Sequence, residues 1–234
     1  MSRREELAAN LAALRARLAG ACAAAGRDPA GVTLVAVSKT RPATDVRLLA
    51  GLGVRDVGEN RDQEAAPKAA ELADLELSWH FIGQLQTNKC RSVAGYAAVV
   101  HSLDRPRLVA ALGREAVRAD REITALVQVS LDERADPVGR GGVAPGEAGR
   151  LADLVASTAG LRLGGVMAVA PADADPDPAF ALLAEVAAAV RAVHPGATAV
   201  SAGMSGDLES AIRHGATHVR VGTALLGRRA PAVR

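Results

Sequence analysis

Aromatic residues are almost missing from this chain, and lysine is nearly as scarce. Aromatics make up 2% of the 234 residues, so a core must come from Ala, Val and Leu, and the 49% hydrophobic content supplies one. No apolar run reaches the roughly 20 residues that a membrane helix needs. Neither sign of charge is in marked excess. A formal net charge of +2 is too small to mark a nucleic-acid binder. The two cysteines, Cys22 and Cys90, lie far apart with no CxxC pair, so neither a disulfide framework nor a zinc site is implied. Arg3 and Arg4 followed by an Ala-rich stretch imitate a signal peptide. Glu5, Glu6, Arg15 and Arg17 interrupt that stretch, however, while Leu7, Leu11, Leu14 and Leu18 recur at helical spacing. The pattern predicts an amphipathic helix that stays on the protein, and the expected compartment is the cytoplasm.

Short β-type runs alternate with helical runs from end to end. Strands are expected at 32–38, 54–58, 79–83, 97–102, 123–131, 162–169, 197–202 and 217–222. Helical segments are expected near 42–52, 60–73, 85–94, 105–120, 145–159, 178–193 and 206–214, with an extra helix near 3–25. Repeated βα units call for a parallel sheet covered by helices. About eight of them fit a (β/α)8 TIM barrel of the α/β class, taken as one domain over residues 1–234. A doubly wound sheet is the runner-up, but its Gly-rich G-x-G-x-x-G turn is missing. Pro42 suits a first helical turn. Gly51, Gly113, Gly160 and Gly215 read as helix stops. The stretches 132–145 and 172–178, rich in Gly, Pro or Asp, read as mobile loops.

The scarcity of lysine gives weight to the three that remain: Lys39, Lys68 and Lys89 stand against 25 arginines. A guanidinium stays protonated and forms no imine, so a retained lysine invites inspection for amine chemistry. Lys39 follows the apolar run Val32 to Ser38, at the end of the first strand. In a barrel, functional residues lie at such strand ends. The other ends carry Gly58-Glu59-Asn60, His80 to Gly83, His101-Ser102, Met167-Ala168, Ser201 to Ser205 and Arg220 to Thr223.

The last two clusters suggest a phosphate site. Gly203, Ser205 and Gly206 lie between the seventh strand and the next helix, where small residues let N–H groups approach an anion. Ser205 either adds a hydroxyl donor or caps that helix. Gly222 and Thr223 offer further donors after the eighth strand. A barrel closes its eighth strand onto its first, so a phosphorylated aldehyde could bridge this cradle and Lys39. Pyridoxal 5′-phosphate is the common example, although a phosphosugar barrel with a basic lysine would look similar. Arg220, if not a surface or interface ion pair, sets a cation beside a pyridine nitrogen and discourages its protonation. Many enzymes using this cofactor place an acid there instead. Asn60 either binds a ligand oxygen or caps a helix. His80 and His101 read mainly as hydrogen-bonded core histidines, Lys68 as exposed, Lys89 as a solvated helix residue, and Met167 and Met204 as packing.

Together these motifs resemble the pyridoxal phosphate homeostasis proteins, single-domain barrels related to the alanine racemase N-terminal domain. The segments that carry the resemblance run from Leu34-Val35-Ala36-Val37-Ser38-Lys39-Thr40 through Gly58-Glu59-Asn60 and Trp79 to Lys89. They continue with Gly165 to Ala168, Ser201 to Asp207 and Val219 to Thr223. The resemblance implies a Schiff base on Lys39 and places Arg220 near the pyridine nitrogen. It implies phosphate contacts from Ser201, Ser205, Gly222 and Thr223, with Asn60 and Met204 lining the ring. It further implies a cofactor carrier that stores or delivers pyridoxal 5′-phosphate without substantial catalysis. The expected partners are this small molecule and apo enzymes that receive it, with no nucleic acid and no membrane; the oligomer is a monomer or a weak dimer. Family members often carry Lys-x-Gly after the fifth strand. Here the stretch is Arg140-Gly141-Gly142, so charge is kept and an amine is lost. The competing class is a racemase-like enzyme of low activity. Alanine racemases take a second base, a tyrosine, from a further C-terminal domain. No room for one is expected after the eighth strand, and Tyr96 precedes the fourth. An imine-forming aldolase would need a carboxylate at the sixth or seventh strand end, and none is evident.

Overall fold

A computed structural model describes residues 1–131, 141–171 and 174–227. Arg140 and most of the stretch 132–145 lie outside the described residues.

The chain opens with α1 (Arg3–Ala24) and then alternates strictly. The order is β1 (Thr33–Val37), α2 (Ala43–Gly51), β2 (Asp56–Glu59), α3 (Asp62–Glu71), β3 (Ser78–Phe81), α4 (Cys90–Tyr96), β4 (Val99–Leu103) and α5 (Pro106–Arg118). It continues with β5 (Ile123–Gln128), α6 (Ala148–Ser157), β6 (Leu161–Met167), α7 (Pro176–Val193), β7 (Ala199–Ser201), α8 (Leu208–Arg213), β8 (His218–Val221) and α9 (Thr223–Leu226). All eight strands are parallel and close in sequence order into a barrel. Closure runs through β8 and β1, with Val35 opposite Arg220 and Ala36 opposite Val221. The expected TIM barrel with an extra N-terminal helix is the observed fold.

Strands covered on both faces must be apolar through their length, and Val35, Ala36, Val100, Ala125, Val127, Val166 and Val221 are all fully buried. The larger core packs α4 to α7 against the middle strands. A second core sets Leu7, Leu11, Leu14 and Leu18 of α1 against Leu208, Ile212, Val219 and Leu225. Helix α1 therefore covers the seam where the barrel closes. Polar bonds reinforce that cover: Arg3 reaches Asp45 (Nη2 to Oδ2, 2.6 Å) and the Leu226 carbonyl (3.1 Å). Asn10 donates to the Leu225 carbonyl at 3.0 Å, and Arg17 to the Ser205 carbonyl at 2.7 Å.

Two local expectations need correcting. Gly113 is not a helix stop; it lies inside α5, which runs on to Arg118. A methyl group at 113 would come within 2.4 Å of the Thr158 side chain and 2.9 Å of the Ala159 carbonyl, so the glycine marks close packing rather than termination. Gly51 is the last residue of α2 rather than the residue beyond it. Among the described residues no helix is long and apolar enough to cross a membrane. Cys22 and Cys90 are buried free thiols, and no cluster of metal-ligating side chains is present among the described residues.

Candidate functional site

The turn after β1 is strained. Thr40 adopts φ 63°, a left-handed conformation that is a genuine outlier for a β-branched residue. Its N–H donates to Glu64 Oε2 at 2.7 Å, which helps hold the turn. Lys39 precedes it and is exposed. It lines a cavity of about 220 Å³ together with Thr40, Arg41, Gly222, Thr223 and Gly227. Among the described residues the cavity wall carries two cations and no carboxylate. Arg41 is itself tied to the Gly227 carbonyl at 2.5 Å, and Lys39 has no ion-pair or hydrogen-bond partner among the described residues.

The other two lysines differ. Lys68 is not exposed, contrary to the sequence reading. Its ammonium donates to the fully buried Glu59 Oε1 at 2.6 Å and to the Ser38 carbonyl at 2.8 Å. The signal was present: Ala65, Lys68 and Leu72 share one helical face, and both flanking residues are buried. Lys89 stands 3.8 Å from Asp62 Oδ2, on the wall of a second cavity of about 540 Å³.

The loops after β7 and β8 approach each other as strand closure requires. Ser205 does not cap α8, whose N-cap is Asp207. Its hydroxyl instead accepts the Ala224 N–H at 3.4 Å, beside the Gly222–Thr223 wall. Gly203 has φ +89°, and a methyl group there would meet the Ala211 side chain at 2.7 Å, so the loop needs glycine for both conformation and space. At Gly222 a methyl group would press to 3.2 Å from the Val37 carbonyl. Met204 is 39% exposed, and its N–H is held by Asp207 Oδ1 at 2.5 Å.

Arg220 is not a surface residue, and among the described residues it forms no ion pair. It is buried, with Nη1 donating to Ser201 Oγ at 2.6 Å and Nη2 to the Ala168 carbonyl at 2.8 Å. Burial pulls its pKa down to about 10, partly offset by Asp207, so it stays charged at neutral pH. Ser201, also buried, bonds on its other side to His101 Nδ1 at 2.9 Å. The rings of His80, His101 and His218 approach within 5.1–6.3 Å of one another. They come from β3, β4 and β8, and β8 pairs with neither of the other two, so these side chains meet through the barrel interior.

Of the sequence-predicted residues, then, Lys39, Gly222 and Thr223 share one cavity, with Ser205 adjoining. Ser201 and Arg220 form a buried bonded pair. Asn60 stands apart, lining the larger cavity with Lys89, and it does not cap α3, whose N-cap is Arg61. Glu64 bridges the two sides, since it lines that larger cavity and holds Thr40.

Comparison with known proteins decides what this arrangement belongs to. The family model of the alanine racemase N-terminal domain matches residues 5–230. The pyridoxal phosphate homeostasis protein of Mycobacterium tuberculosis is 46% identical over 243 residues, covering 97% of this chain and 94% of that protein. The chain belongs to the pyridoxal phosphate homeostasis protein family. A relative of the same name from Pseudomonas aeruginosa is 43% identical, covering 95% of this chain and 96% of its own length. Both family members carry the name of a homeostasis protein, not of an enzyme. Among solved structures, PipY of Synechococcus elongatus with PLP bound matches with a TM-score of 0.82 at 34% identity. That match covers 94% of this chain and 100% of PipY.

Proposed function

We propose that this chain is a single-domain carrier of pyridoxal 5′-phosphate that holds the cofactor as a Schiff base on Lys39 and stores or delivers it without substantial catalysis. One observation carries the reading: the one lysine free of partners among the described residues opens onto the cavity walled by Gly222 and Thr223. When bound, the cofactor supplies an aldehyde that condenses with a primary amine and an aromatic ring that can draw electrons from it.

The residues present fit that group. Lys39 contributes the amine, and its nitrogen must lose protons to form the bond, with water leaving. No described residue of the cavity wall supplies a carboxylate that would tie up that amine in an ion pair. Small residues at 203 and 222 let the two loops approach a phosphate, and the hydroxyls of Ser205 and Thr223 offer donors. Each hydrogen bond to a charged group contributes about 1.5–3 kcal/mol, so several hold a phosphate without a salt bridge. Arg220 presents a buried cation where the ring nitrogen would face. A cation there opposes protonation of that nitrogen and so weakens the ring as an electron sink. This favours holding over carbanion chemistry. Asn60 and Met204 border the ring side in the proposed assignment.

Mixing the protein with pyridoxal 5′-phosphate and reducing with borohydride tests the assignment. A reduced adduct mapped to Lys39, negligible turnover of D- and L-amino acids, and reactivation of an apo enzyme by the loaded protein are expected. An adduct only on Lys68 or Lys89 overturns the site. Turnover on the order of 1–10³ per second overturns the carrier role.

A further inference from the structure

The hydrogen-bond chain inside the barrel ends in an acceptor-only group on one side and a donor-only group on the other, and this sets its direction. Asp56 Oδ1 lies 3.0 Å from His80 Nε2. A carboxylate only accepts, so His80 Nε2 carries the proton; Ser78 Oγ, 3.2 Å away, shares it. With one proton per ring, His80 turns a bare Nδ1 toward His101 Nε2 at 2.9 Å, and His101 Nε2 must donate. A neutral His101 leaves its own Nδ1 bare, and that nitrogen accepts the Ser201 hydroxyl proton. Ser201 Oγ is left with lone pairs toward Arg220 Nη1, which only donates. Every link has one donor and one acceptor with no proton to spare.

The charged and titratable groups facing the two imidazoles are Asp56 on β2 and His218 and Arg220 on β8. Burial, with His80 and Arg220 nearby, keeps His101 well below the usual histidine range. Burial likewise draws His218 down to about 4. Both are neutral at physiological pH, so His101 carries a single proton, as the directional chain requires, and His218 sets no further cation beside it. Its lower end is accessible: Asp56, whose side chain is 31% exposed, borders a cavity of about 400 Å³ beside the starts of β1 and β2.

The geometry points to Asp56, His80 and His101 as positioning residues: a one-way relay from the opposite mouth of the barrel orients the Ser201 hydroxyl and, through it, the Arg220 guanidinium. The consequence for the cofactor rests on the function proposed above; the relay itself does not. Nitrogen-15 NMR of the cofactor-free protein at neutral pH is the first test, with both His80 and His101 expected as Nε2–H tautomers. A proton on Nδ1 of either ring overturns the proposal. The second test is Asp56→Asn, which removes the acceptor-only anchor. The His101 tautomer should become mixed. Affinity for pyridoxal 5′-phosphate should fall roughly fivefold, and the pH midpoint of the bound-cofactor absorbance should move. Unchanged tautomers and an unchanged midpoint in a folded variant refute the relay. If the variant does not fold, the wild-type tautomers decide alone. A wild-type protein that shows the tautomers but binds no cofactor sinks the proposed function and leaves the relay standing.

Discussion

Lys39 and Lys68 flank Ser38 and are held in opposite ways. On the β8–β1 side of the rim, Lys39 stands exposed over a small cavity with no partner among the described residues. On the β2 side, Lys68 is 11% exposed and locked between a buried carboxylate and a backbone carbonyl. An amine that is to react must be able to lose its proton, and a neighbouring carboxylate holds the proton in place. In the proposed assignment the first lysine is left to chemistry, while the second serves the fold. Lys89, loosely near Asp62 at 3.8 Å, falls between them.

Swapping the demands on the two lysines gives the sharpest contrast. Lys39→Arg should abolish borohydride-fixed label completely while leaving the urea unfolding midpoint unchanged, because an exposed arginine keeps the charge but cannot condense. Lys68→Met should do the reverse. It strands Glu59, whose Oε2 already lacks a partner, and removing one member of a buried pair costs about 3–5 kcal/mol. Urea unfolding reads that loss, and the label on Lys39 should persist at permissive temperature. If Lys68→Met proves neutral in stability, the division of labour between the two is wrong.

The fold was legible because its signal is repeated. Eight apolar runs alternating with helical ones leave few topologies, and boundary errors stay local even where β5 ends at Gln128 rather than 131 and α4 begins at Cys90 rather than 85. The site was legible in pieces. The order of Ser38-Lys39-Thr40, Ser201 to Ser205 and Arg220 to Thr223 along the strands is enough to bring them to one rim once the barrel closes. The role of Lys68 was missed because composition marks lysine as a surface residue, whereas its phase between Ala65 and Leu72 points it inward. The bonded series from Asp56 to Arg220 could not be read at all: its members come from five strands, and only register places their side chains at bonding distance. Gly113 was misread because a glycine that ends a helix and one that admits a neighbour look alike in sequence.

Two smaller changes refine the open side of the rim. Gly203→Ala forces an L side chain into φ +89° against Ala211 and should destabilise by about 1–3 kcal/mol, with thermal unfolding as the measure. Weakened binding of pyridoxal 5′-phosphate should accompany it, since the β7 loop would shift. Thr223→Val removes one hydroxyl and nothing else. It should lower cofactor affinity by about threefold to tenfold in an absorbance titration, with thermal stability unaltered. An equal loss from a substitution at Lys89 would move the phosphate toward the larger cavity.

Helix α1 precedes every barrel strand in sequence, yet the carbonyls it grips belong to Ser205, Leu225 and Leu226, more than 180 positions away. Nothing on the ribosome offers those partners until nearly the whole barrel has emerged. A nascent chain can dock α1 on α2 through Arg3 and Asp45, but the loops beside Lys39 come together only as the first and last strands meet. In the proposed function, ligand capture is thereby confined to chains in which the first and last strands have met.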